Sequence, residues 1–110
     1  MTRKKLKSLY YLEREVRMWE RKLKDVEGDR EQERIYKQNI RRLLARAQSN
    51  RKEIYDFIET IDDSYKRMLI NLRCVEHKTW EEITDELGGS SGSHKKYYQR
   101  YIATIRSPRQ

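Results

Sequence analysis

Thr79-Trp80-Glu81-Glu82-Ile83-Thr84-Asp85-Glu86-Leu87-Gly88-Gly89-Ser90-Ser91-Gly92-Ser93-His94-Lys95-Lys96 is the stretch that decides the fold. Thr79 and Glu82 stand at capping-box spacing, hydroxyl to amide one way and carboxylate to amide the other, so a helix starts at Trp80. Trp80, Ile83 and Leu87 share one face of it. Gly88-Gly89-Ser90 then makes a tight turn, and Ser90 caps a second helix. His94, Tyr98, Tyr101, Ile102 and Ile105 fall on one side of that helix at i, i+4, i+7, i+8 and i+11. The other side presents Ser91, Gly92, Ser93, Lys95, Lys96, Gln99 and Arg100, without an acid. A short helix, a turn with glycine and a basic second helix describe a helix-turn-helix.

The second helix points to double-stranded DNA as the partner. Small residues at its start let the backbone come close to a duplex, and a helix N-terminus favours phosphate. Lys95, Lys96 and Arg100 suit phosphates, the two lysines also suit guanine acceptors, and Gln99 suits adenine. The same face read conservatively is an ordinary basic surface. Tyr97, Tyr98 and Tyr101 are expected in packing, with stacking on single-stranded bases as the alternative.

Upstream, two heptad patterns predict a long antiparallel hairpin over 1–61. Leu9, Leu12, Val16, Trp19, Leu23 and Val26 are spaced 3-4-3-4-3, and Gly28-Asp29 breaks the pattern. Tyr36, Ile40, Leu43, Ala47, Asn50, Ile54, Phe57 and Ile61 follow at 4-3-4-3-4-3-4. The second helix, Arg30 to Ile61, would be roughly 48 Å long at ~1.5 Å per residue, so its far end must find another surface. Two narrow seams make a thin core, and a homo-oligomer, a dimer first of all, is expected to use the seam from Leu9 to Val26. Asn50 either fixes register or marks where the seam leaves the hairpin. Asp62, Asp63 and Ser64 cap a third helix, Tyr65 to Val75.

Composition bounds the rest. The chain has 110 residues, Lys+Arg 26 against Asp+Glu 18, net +8, with 1 proline and 4 glycines. Long helices are the default, a polyanion is the expected partner, and no run is apolar enough to span a membrane. Residues 88–110 hold five basic residues and no acid, directly after an acidic stretch. A second acid-free run between Glu33 and Glu53 carries Arg34, Lys37, Arg41, Arg42, Arg46, Arg51 and Lys52; it is a candidate phosphate surface, but its spread around the helix favours a solvated face. The single cysteine, Cys74, is expected to be buried, and the N-terminus lacks the apolar core of a signal peptide, so a reducing cytoplasmic setting follows.

Leu72-Arg73, His77-Lys78-Thr79, Glu82-Ile83, Leu87-Gly88 and Ser90 fall where the sigma-70 region 4-like helix-turn-helix has its characteristic residues, and residues 87–95 align with its turn without a gap. More narrowly, Ile61-Asp62-Asp63-Ser64, Arg73 and the Trp80/Gly88-Gly89 pattern resemble small phage-encoded late transcription regulators (RinA- and ArpU-like). The resemblance covers Ile61 to Arg106. It implies major-groove binding in a bacterial host cell, with Ser90 as cap and Ser91, Gly92, Lys95 and Lys96 meeting bases. It also implies a hairpin that docks a partner such as RNA polymerase. Gly89 and His94 depart from the family, standing where aliphatic residues usually pack.

There is no P-loop and no GxGxxG, and His77 and His94 lack metal-ligand spacing. Glu81, Glu82, Asp85 and Glu86 read as a solvated acidic face rather than a cation site. No catalytic residue, metal or cofactor is expected. The expectation is an all-α DNA-binding regulator: hairpin 1–61, helix-turn-helix domain 62–106, disordered tail 107–110. Three alternatives stand beside it: a phage DNA-packaging (small-terminase-like) subunit, a coiled-coil interaction protein that binds no DNA, and a polymerase-binding factor.

Overall fold

A computed structural model describes residues 1–105; Arg106 and the expected tail lie outside the described residues. The described chain is helical, with no strand. Helix α1, Arg3–Asp25, starts where the Thr2 hydroxyl accepts from the Lys5 amide. Helix α2, Arg30–Glu59, starts where Asp29 accepts from the Gln32 amide. Gly28, at φ +98°, supplies the left-handed step between them. The two helices run antiparallel: Lys5 pairs with Glu53 at 3.3 Å, Glu13 with Arg51 at 3.6 Å, and the Trp19 and Tyr36 rings meet at 5.1 Å.

The α1 seam packs on α2 of the same chain. Leu9 and Val16 are buried, and Leu12, Trp19, Leu23 and Val26 are half-buried. The surface expected to pair copies is thus occupied within the monomer, because folding back gives the seam a partner at once. Asn50 lies inside this contact. Its amide donates to the Ser8 hydroxyl at 2.8 Å and its carbonyl accepts from Lys5 at 3.4 Å. A buried amide satisfied by one facing pair favours this register over a slip.

The expected third helix changes character midway. Helix α3, Ser64–Ile70, is capped by Asp63 and continues into a π-helical turn, Asn71–Val75. That segment serves two cores. Ile70, Cys74 and Val75 join Leu6, Leu9, Ile54, Ile58, Ile61 and Ile102. Leu69 and Leu72 join Ile83, with Tyr65, Trp80, Leu87 and Tyr97 around them. Tyr98 touches both. The larger core crosses position 61, so the far end of α2 rests on the C-terminal helices. The chain is elongated, 51 × 33 × 22 Å, with a radius of gyration of 17.1 Å; a compact chain of this length has about 13 Å.

Candidate nucleic-acid interface

Helix α4, Trp80–Leu87, opens with the expected capping box: the Thr79 amide donates to Glu82 Oε1 at 2.9 Å, and the Glu82 amide to Thr79 Oγ1 at 3.2 Å. Held by the Thr79 backbone amide first and its side chain second, the Glu82 carboxyl titrates below the usual glutamate range. Arg73 braces this end, donating to the Lys78 carbonyl at 2.8 Å with its guanidinium 4.4 Å over the Trp80 ring. His77, at φ +58°, turns the chain into α4 and is tied to Glu13 of α1 at 3.1 Å.

Gly88 and Gly89, both at φ +78°, make the turn, and Ser90 caps helix α5, Ser91–Thr104, accepting from the Ser93 amide at 3.2 Å. Gly89 and His94 fit each other. His94 is buried in the space above Gly89, where an added Cβ would stand 3.4 Å from Nε2. Nε2 lies 2.6 Å from the Gly88 carbonyl, which only accepts, so it carries a proton. Nδ1 then meets the Tyr65 hydroxyl at 2.7 Å. The imidazole thus bridges the turn and α3.

Helix α5 is seated by Tyr97 against Tyr65, ring centroids 4.8 Å apart, and by Tyr98 against Trp80 at 5.3 Å. The Tyr98 hydroxyl lies 3.5 Å from the Cys74 sulfur, and Lys66 sits 5.2 Å over the Tyr101 ring. These tyrosines pack within the chain. Burial pushes the Cys74 thiol and the Tyr98 phenol up, so both stay protonated.

What remains outward is Gly92, Ser93, Lys95, Lys96, Gln99 and Arg100, all exposed, on one side of α5. Among the described residues none of the three cations has an ion-pair partner. Ser90 is exposed and donates its hydroxyl to Ser93. Ser91 does not join this face. It is half-buried, its hydroxyl 2.9 Å from Thr84 Oγ1 and 3.2 Å from the Trp80 carbonyl, so it fastens α5 to α4. The acids Glu81, Glu82, Asp85 and Glu86 are exposed on α4, so this flank is negative where the outer face of α5 is positive.

Gly92 stands apart from the other glycines. Gly28, Gly88 and Gly89 have positive φ; Gly92 does not, and a Cβ there would meet nothing within 4 Å. Nothing inside the chain calls for a glycine at this helical position.

Reading the Arg34–Lys52 run as scattered misses one basic feature. Arg30, Arg34, Lys37 and Arg41, at i, i+4, i+7 and i+11, line one shallow groove along α2, with Glu33 as its single acid. Arg42 and Arg46 lie on a different flank, beside Trp19. The signal for the row is the spacing itself. Among the described residues no group of three or more His, Cys, Asp or Glu side chains is placed to hold a metal ion, and no helix is long and apolar enough to cross a membrane. Set against protein-family models, curated proteins and solved structures, the chain matches none.

Proposed function

We propose that the chain binds double-stranded DNA through α5, in the manner of a helix-turn-helix whose second helix enters the major groove. The observation that carries this reading is the outer face of α5: free cations at Lys95, Lys96 and Arg100, Gln99 between them, and a glycine at the approach that the chain's own packing does not require. Lys95, Lys96 and Arg100 neutralise phosphates, Gln99 and Ser93 meet base edges, and Gly92 lets the backbone close on the duplex. Ser90 and Ser91 act from behind, as cap and fastener.

A role as a phage-encoded transcription regulator rests on the resemblance of Ile61–Arg106 alone, and so does a contact between hairpin and RNA polymerase. Pairing of two copies is proposed from the thin core alone, and with the α1 seam packed on α2 another face of the hairpin is the candidate for it.

The test is fluorescence anisotropy with random duplex DNA across a salt series, comparing wild type with Lys95→Ala/Lys96→Ala. Each phosphate that is no longer neutralised should flatten the log–log salt slope by about 0.9, so the double variant flattens it by up to ~1.8. A wild type without salt-dependent binding, or a variant with an unchanged slope, removes α5 from the interface.

A further inference from the structure

From the α2 row we infer a second contact for the phosphate backbone of duplex DNA, independent of sequence and lying on the hairpin away from α5. Arg30, Arg34, Lys37 and Arg41 are exposed and share about 60° of the helix circumference. They extend over about 16 Å, one cation every ~5 Å. Among the described residues Arg30, Lys37 and Arg41 have no ion-pair partner; Arg34 has Glu31, at 2.8 Å on the exposed surface. Four aligned cations against Glu31 and the lining Glu33 leave a net positive row whose members repel one another. A row of this kind is relieved by a polyanion that lies along it, and three of the four are guanidiniums, whose planar fork matches phosphate oxygens. An acidic protein surface is the less suited occupant, because the row has no aromatic or aliphatic member to give an interface its desolvated core, whereas duplex DNA presents a continuous run of phosphates. The inference does not depend on α5 reading DNA, since the row belongs to another helix.

Three double variants of equal charge change settle it by anisotropy on a 30-base-pair random duplex: Lys37→Ala/Arg41→Ala on the row, Arg42→Ala/Arg46→Ala on the other flank of α2, and Lys95→Ala/Lys96→Ala on α5. All six side chains are exposed and alanine is the better helix former, so the fold is kept, which circular dichroism checks. The row variant should flatten the salt slope by about 1.8, so that between 50 and 200 mM salt it loses about tenfold less affinity than wild type. Arg42→Ala/Arg46→Ala should leave the slope near that of wild type. If it flattens the slope equally, net charge and not the row is responsible, and the inference is overturned. An unchanged slope for Lys37→Ala/Arg41→Ala overturns it too, whatever Lys95→Ala/Lys96→Ala does. A flattened row variant beside an unchanged α5 variant upholds the row and removes α5. Poly-L-glutamate, added to the Lys95→Ala/Lys96→Ala variant on DNA, should displace the duplex poorly. Displacement as good as by unlabelled DNA at equal charge assigns the row to acidic polypeptide and overturns the inference.

Discussion

Changing Gly92 to alanine should move stability and DNA affinity in opposite directions. In the free chain the added methyl meets open space, and the φ at Gly92 is one that any residue adopts. Replacing glycine inside a helix by alanine reduces the entropy of the unfolded chain, a gain of about 0.4–1 kcal/mol. For a chain of this length that raises the melting temperature by about 2–4 °C. On the complex the methyl acts the other way. It stands where the helix backbone would approach the duplex, and forcing an extra methyl into a close contact costs about 1–3 kcal/mol, or roughly 5- to 160-fold in affinity. Thermal melting by circular dichroism gives the first number and anisotropy on duplex DNA the second. Gly92→Ala with wild-type affinity would refute the reasoning, since the glycine would then serve no approach. A lower melting temperature would refute the geometry instead.

The other predictions concern how α5 is held. Replacing His94 by leucine removes its hydrogen bonds to the exposed Gly88 carbonyl and the half-buried Tyr65 hydroxyl and should cost about 0.5–1.5 kcal/mol, read from urea unfolding; a variant as stable as wild type would mean that the imidazole bridge is not formed. The Glu82 carboxyl is depressed in the folded chain, so its contribution is fully present above its unfolded value of 4.5 and is lost as pH falls through the folded value. Glu82→Gln should therefore abolish part of the loss of stability below pH 4.5 that wild type shows in acid melts. Cys74 is buried with a raised pKa, so iodoacetamide at pH 8 should label the native chain far more slowly than the urea-unfolded one; equal rates would place the thiol at the surface.

The caps were legible because they are local. Thr79, Ser90 and Asp63 act on amides three residues away, and nothing distant competes with them. The antiparallel pair was legible from its heptads. Leu6 was not, although it is among the most buried side chains. The α1 heptad carried back one step falls on Lys5, whereas Leu6 turns toward the core it shares with Ile70 and Cys74. The π-helical turn escaped for the same reason, since two cores claim successive residues of Asn71–Val75 and one helical face cannot serve both. In the candidate interface, Lys95, Lys96, Gln99 and Arg100 were readable as the face opposite the apolar one. The orientation of Ser91 was not, because it depends on how closely α4 passes the start of α5.

The core that crosses position 61 also ties distant parts of the chain together. Leu6 and Leu9 in α1 and Ile102 in α5 are walls of the same room. A cut at residue 61 would leave the second part with Ile70, Cys74 and Val75 facing water, and the hairpin with last turns that have nothing to rest on. The described residues on the two sides of position 61 are one unit of folding, to be moved or kept together.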